Sequence, residues 1–346
     1  MNKIKKNRSI RLIRKFIEEL NLDLTDFQII TELGSNNYML TPIIAVLAGA
    51  KKVITYTSDS VYGNSNEIIQ SFLKNFPEQI FQERITAKEK LFSEDYQSID
   101  IITNSRSLRP INRSKIKHLS KRTVIPLMYD RWEIREEDID VQACSEKGIM
   151  IAGTNESASF FPIFEYCGLL AAKMSFDAGY EIRQNNILIW SKDEFGETIK
   201  KEFQALGANE VIMTTDFSEV EKKCDSLDFI FLTDYHEKRS FTEDNGFFNF
   251  KILKEKNQDI GIVHLYGKID YSFCEKYDVN LFPKKDGYAS KMSFTLDYLG
   301  LVPLVKLIIG SFKVAECLLK GIDNELVQPV NVLFNKDLKK YTNKKN

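Results

Sequence analysis

The chain has 346 residues, with 48 lysines and arginines against 49 aspartates and glutamates, so its formal charge is −1. That balance argues against affinity drawn from a strong positive field, so no nucleic-acid partner is expected. The length suits two ordinary domains, and 43% apolar residues with only 16 glycines and 8 prolines indicate folded cores rather than long disordered stretches. No apolar run is long enough for a membrane span, and the basic N-terminus lacks the apolar segment of a signal peptide. Five scattered cysteines and three distant histidines point to reduced thiols in a cytoplasmic protein, with no metal site.

In chain order, residues 3–21 carry Ile10, Ile13, Ile17 and Leu20 at helical spacing, with Arg8, Arg11, Arg14 and Lys15 between them. This predicts a helix packed on the fold with a solvated basic face. Short β-branched runs then alternate with helical patterns. Strands are predicted at 27–31, 53–56, 99–103, 124–128 and 149–152. Helices are predicted at 40–50, 64–76, 113–119 and 136–147. A long apolar helix, 159–179, leads into a second series: strands at 187–190, 210–213, 229–232 and 260–265, and a helix at 196–206. Residues 291–320 read as long helical structure interrupted near Gly300 and Pro303, and 335–346 as a polar tail. Continuous apolar strands alternating with helices predict α/β architecture: two doubly wound, Rossmann-like parallel sheets. The expected division is 1–158, 159–290, 291–334 and the tail; the resemblance given below implies that the second is a dinucleotide-binding domain and that long helices, 159–179 and 291–320, cross between the two, with 291–334 returning to the first domain.

Three stretches carry chemistry. The second series opens with strand 187–190, then Ser191-Lys192-Asp193-Glu194-Phe195-Gly196, then a helix. A dinucleotide turn has this form, and its glycines let a pyrophosphate approach the helix start. Only the third glycine, Gly196, is present; Ser191 and Asp193 stand at the other two positions. Asp216, twenty residues on, lies where an acid grips a ribose. The predicted cofactor residues are therefore Ser191, Asp193, Phe195, Gly196 and Asp216. The turn Glu32-Leu33-Gly34-Ser35-Asn36-Asn37, with Asp59 after the next strand, is similar to the first motifs of S-adenosylmethionine methyltransferases.

In the first series, three loops at strand ends hold Arg106 and Arg109, then Tyr129, Asp130, Trp132 and Glu133, then Asn155 and Glu156. In an open parallel sheet such loops share the ligand-binding edge. Arginines there can fork onto an anion, so these eight residues are the expected substrate contacts. His264, after the apolar run 260–263, is the one histidine placed as a proton carrier, with Lys284 in the run Pro283-Lys284-Lys285 as the other catalytic candidate.

The order of strand, Asp140-Val141-Gln142-Ala143-Cys144-Ser145-Glu146-Lys147-Gly148-Ile149, strand ending at Gly153-Thr154-Asn155, long apolar helix and glycine turn resembles the D-2-hydroxyacid dehydrogenases, such as formate and glycerate dehydrogenases, and more loosely adenosylhomocysteinase. The resemblance spans roughly residues 99–320. It implies a flavodoxin-like substrate domain, NAD or NADP on the second domain near Gly267, a small hydroxy or keto acid in an interdomain cleft, and a homodimer. The chain departs from that pattern at Leu265-Tyr266-Gly267, where the family has an arginine, and at Pro283-Lys284, where it has a histidine. A non-redox enzyme binding adenosylmethionine or adenosylhomocysteine, and a non-catalytic binding or scaffold protein, are the alternative readings.

Overall fold

The computed structural model describes residues 3–60, 63–242 and 246–330; the expected polar tail lies outside them. In chain order the strands are β1 Gln28–Glu32, β2 Lys52–Tyr56, β3 Ile85–Lys88, β4 Ile101–Ile102, β5 Val124–Pro126, β6 Met150–Thr154, β7 Asn186–Trp190, β8 Glu210–Thr214, β9 Phe229–Thr233, β10 Gly261–Tyr266, β11 Asn280–Phe282 and β12 Val327–Pro329. They form two sheets in two compact units, residues 1–161 with 304–346 and residues 162–303.

The first sheet runs β12-β6-β5-β4-β1-β2-β3; it is parallel except for β12, which pairs antiparallel with β6. Its strands are apolar on both faces. Ile29, Val53, Ile101 and Val124 stand in register on one face, and Ile30, Ile54, Ile102 and Ile125 on the other, none more than 4% exposed. A sheet buried on both faces must put its ligands at an edge. The flavodoxin-like order expected here is corrected by β3. Without it the parallel strands would read 2-1-4-5-6, a flavodoxin-type pattern; with it they read 3-2-1-4-5-6, the dinucleotide-type order. Only Ile85 of β3 is buried, so this edge strand leaves no apolar run in the sequence.

The second sheet runs β11-β10-β9-β7-β8, all parallel, which is 2-1-3-4-5 in the unit's own strand order. The orders expected of the two domains are thus exchanged. Its core is aromatic: Trp190 packs against Phe241 and Phe248, and Phe203 against Phe229 and Phe231.

Some helices differ from expectation. Residues 136–140 stay outside the helix: 136–138 form a turn, Ile139 bridges to Ile111, and the Asp140 carboxylate caps helix Val141–Lys147 through the Ala143 N–H. Residues 291–300 hold only the 3-10 turn Leu296–Tyr298, and the long helix is Leu301–Lys320. From Leu304 this helix belongs to the first unit, where Lys306 donates to the Phe160 carbonyl at 2.8 Å.

Gly310 is the tightest point of that packing. A Cβ there would stand 1.9 Å from the Phe161 ring, and Phe161 is itself buried. Gly310→Ala is expected to cost about 1–3 kcal/mol, because a packed ring must move. Denaturant unfolding measures this, and an unchanged midpoint would contradict the packing.

Candidate functional site

In the first unit β1 and β4 are neighbours, although the chain leaves β1 for β2 on the other side. The crevice of a doubly wound sheet opens at this reversal, at the carboxyl ends of the strands. Its floor is polar and buried. Thr31 and Thr103 share a hydroxyl hydrogen bond of 2.9 Å, and Thr103 and Ser105 one of 2.6 Å. Thr55, in register with Thr31, has a buried hydroxyl with no partner among the described residues. Glu32 ends β1 at 6% exposure. Burial raises its carboxyl above the ordinary range, opposed by the Ser107 N–H and by the charges of Arg109 and Arg106. Over this floor the chain turns through Leu33, Gly34 and Ser35 into the 3-10 turn Asn36–Met39 and helix Leu40–Leu47. No side chain caps either start. Gly34 is required where it is, since a Cβ would lie 2.5 Å from that of Tyr38.

The two predicted arginines separate here. Arg106 is exposed, at the first position of the 3-10 turn Arg106–Leu108. Arg109 is committed to the fold: Nε donates to the Asn104 carbonyl and side-chain oxygens at 3.1 and 3.0 Å, Nη2 to the carbonyl at 2.9 Å, and Nη1 pairs with Asp138 at 3.2 Å. These bonds make it a support of the loop. Asn104 is fully buried and donates to the Tyr129 hydroxyl at 2.5 Å. Burial pushes that hydroxyl up to about 12, so Tyr129 is neutral. Asn155 is likewise structural, donating to the Glu325 carbonyl at 2.9 Å and accepting from the Ser157 N–H.

Asp130, Trp132, Glu133 and Glu156 gather further along the same edge, after β5 and β6. Burial raises the Asp130 carboxyl, opposed by hydrogen bonds from Gln328 and the Trp132 and Arg131 N–H groups. Burial also holds Glu156 well above the usual range, reinforced by the charges of Glu133 and Asp130. Asn104 was missed from sequence, and Glu32 was read only as part of the turn similar to adenosylmethionine-binding motifs. The signal of both is a polar residue at or just after the end of an apolar strand.

The turn of the second unit is where the resemblance puts a dinucleotide, and its residues do not fit one as they stand. Asp193 is 6% exposed and caps helix Glu194–Ala205. Its Oδ1 accepts from Ser191 Oγ at 2.9 Å, Phe195 N at 3.1 Å and Gly196 N at 3.2 Å; its Oδ2 accepts from Tyr235 N at 3.0 Å. Those backbone groups are the ones a pyrophosphate would use. Phe195, Tyr235 and Tyr266 pack together beside it, all buried. Gly196 does keep a dinucleotide-type role, because a Cβ would meet that of Ser191 at 2.4 Å. Asp216 is exposed and caps helix Phe217–Lys223 through Ser218. Gly267 has φ +123, where a Cβ would press on Leu232 and Phe241 at 3.1–3.2 Å.

The proton-carrier reading of His264 is also corrected. His264 is fully buried in β10, with Nε2 3.3 Å from the Pro283 carbonyl and Nδ1 without a partner among the described residues. Burial pulls it down to about 4, so it is neutral and sealed from solvent. Lys284 stands exposed after β11, and its neighbour Lys285 donates to the Ser293 carbonyl at 2.5 Å. All five cysteines are buried and unbridged. Among the described residues no helix is long and apolar enough to cross a membrane, and no group of three His, Cys, Asp or Glu is placed to hold a metal.

The fold is similar to that of one of the subunits of dipicolinate synthase from Bacillus halodurans, with 12% identity over 87% of this chain and 99% of that one, and a TM-score of 0.52. The corresponding dipicolinate synthase polypeptide from Bacillus subtilis is similar too, with 11% identity over 88% and 100% and a TM-score of 0.52. An NAD-dependent formate dehydrogenase from Staphylococcus aureus in complex with NAD follows at 11% identity, 80% and 98% coverage and a TM-score of 0.43. Identities this low describe a fold and not an activity. No protein-family model matches the chain, and no curated protein matches it.

The buried carboxyls lead to two tests. Asp193→Ala leaves the helix start and the Tyr235 N–H without an acceptor, and is expected to cost about 1–3 kcal/mol by chemical unfolding. A cost near zero would show that the cap is idle. Glu156 has a folded pKa above its unfolded value of 4.5, so its effect on stability is absent below that pH and grows unfavourable as pH rises. Glu156→Gln should therefore raise the melting temperature at pH 8 and change it little at pH 4; an equal change at both would contradict the assignment.

Proposed function

We propose that the protein is an enzyme whose working site is the β1/β4 crevice of the first unit, and that its ligand is a small anionic or nucleotide-like molecule. The observation that carries this is the buried polar floor of Glu32, Thr31, Thr103, Asn104 and Ser105 at the strand reversal. Burying so many polar groups is unfavourable unless they are hydrogen-bonded, and such a floor at this edge is what a polar ligand needs. Arg106, exposed at the rim, would take the ligand's anionic group. Glu32, with its raised carboxyl, would take a hydroxyl or amide. Arg109 would hold the loop through Asn104.

The oxidoreductase reading draws its support from the fold. Under it the substrate is a small acid and the cofactor NAD or NADP. The dinucleotide-type order and the helix start without a side-chain cap both belong to the first unit, so a dinucleotide would sit there. The second unit's turn gives its donors to Asp193 instead. A second reading, adenosylmethionine or adenosylhomocysteine in the same crevice, is favoured by the Glu32-Leu33-Gly34 turn with Asp59 after β2. Asp59 caps Ser65 at 2.8 Å and remains exposed.

Thermal unfolding with NAD, NADP, adenosylmethionine and adenosylhomocysteine separates these readings. A ligand at a hundred times its dissociation constant stabilises by about 2.7 kcal/mol. One member of the panel should raise the melting temperature, and its apparent affinity should fall at least about tenfold with Arg106→Ala, the loss of one charge-assisted contact. No rise with any of the four would remove the nucleotide readings. An undiminished rise in Arg106→Ala would remove that residue's role.

A further inference from the structure

After β11 the chain forms a strap, residues 283–293, that folds back over the end of β10. Polar contacts hold it. Gly287 and Ile269 exchange N–H···O bonds of 2.8 and 3.2 Å, and the Ser293 N–H donates to the Leu265 carbonyl at 2.8 Å. Ser293 Oγ donates to the His264 carbonyl at 2.6 Å, and Ser290 Oγ to the Tyr235 carbonyl at 2.9 Å. Lys284, Lys285, Asp286 and Tyr288 are exposed along its outer side. A surface segment tied down by hydrogen bonds with little buried apolar area belongs to the low-stability end of a fold and opens locally.

His264 lies under this strap, with no exposed surface. The Pro283 carbonyl can only accept, so Nε2, 3.3 Å from it, carries the ring proton and Nδ1 is bare. Gly287 closes over that bare nitrogen: a Cβ on it would stand 3.0 Å from Nδ1 and 2.5 Å from the Gly267 carbonyl oxygen. Nδ1 has no hydrogen-bond partner among the described residues. A second proton on the ring therefore places a charge where water does not reach. Burial pulls the closed ring down to about 4, aided by the Lys285 charge and opposed by hydrogen bonding to the Pro283 and Lys285 backbone and by the Asp286 charge. The strands on either side, β9 and β11, carry no titratable side chain. With the strap open, the ring meets solvent and takes the proton at its ordinary value.

We propose that His264 and the strap form an acid-sensitive latch in the second unit, in which proton uptake by the ring releases residues 283–293 from the end of β10. No part of it depends on the crevice at β1 and β4. A closed-state value below the open one means that the closed form is fully favoured above pH 6.5 and loses ground as pH falls, until the loss levels off near 4. Inside that window the open fraction approaches a rise of about tenfold per pH unit.

The test is amide hydrogen exchange of the full chain at pH 6 and pH 5, corrected for the intrinsic pH dependence of exchange. Protection at the Gly287 and Ser293 amides is expected to fall about five- to tenfold between the two, with residues 229–233 of β9 unchanged. His264→Gln keeps a donor for the Pro283 carbonyl but cannot take the proton, and its strap protection is expected to change by less than about twofold. Should that variant not fold, an NMR titration of the wild-type imidazoles decides, since His264 is expected to stay neutral down to pH 5. No fall in the wild type, an equal fall in His264→Gln, or a fall shared by residues 229–233 would each overturn the proposal. So would an ordinary titration of His264 near pH 6.5 with the strap amides still protected.

Discussion

A helix that starts at the carboxyl edge of a parallel sheet presents backbone N–H groups with no partner inside the helix. Something must accept from them, and a bound phosphate often does. The two units meet this constraint in opposite ways. In the second, the chain supplies the anion: Asp193 accepts from Phe195, Gly196, Ser191 and Tyr235, which ties the β7 turn, the helix start and the loop after β9 into one network. In the first, the start at Asn36 has no side-chain cap, and the floor beneath it is lined with hydroxyls and the Glu32 carboxyl. One unit has a closed turn; the other has a crevice with the chemistry of a ligand site.

Charge placement in the first unit follows the same logic of satisfaction. Arg109 is consumed by Asn104 and Asp138, which positions the 104–109 loop and leaves Arg106 at the rim. Asn104 in turn donates to Tyr129, so the loops after β4 and β5 are joined by one buried amide. Along that edge the acids are in excess, and Glu156 bears the consequence as a carboxyl pushed toward its neutral form.

Much of the architecture was legible in the sequence because buried parallel strands leave unbroken apolar runs. The strands at Ile29, Val53, Ile101, Val124 and Ile151, and those of the second sheet at Ile187, Phe229 and Ile262, follow this rule. The strands that escaped notice are at edges: β3, β11 and β12 are three or four residues long and partly exposed. With β3 in place the first sheet has the dinucleotide-type order, where the family resemblance implied a flavodoxin-like domain. Within the sites, sequence position located Asp193 at a glycine position of the dinucleotide turn, where a phosphate would approach. It did not show that the carboxylate would take the phosphate's hydrogen bonds, because the Tyr235 N–H arrives from 42 residues away. His264 misled for a related reason: a polar residue inside a strand reads as a site, yet here the strand is buried throughout. Arg109 and Arg106 look alike in sequence, and only the fold of their loop divides them.

We place the proposed nucleotide-like ligand at the first unit's turn and not at the second's. Hydrogen–deuterium exchange of the full chain with a saturating member of the nucleotide panel tests it most directly. Protection is predicted at residues 33–38 and 104–108, with residues 191–197 unchanged. Protection confined to 191–197, with the first turn exchanging as before, would contradict the account.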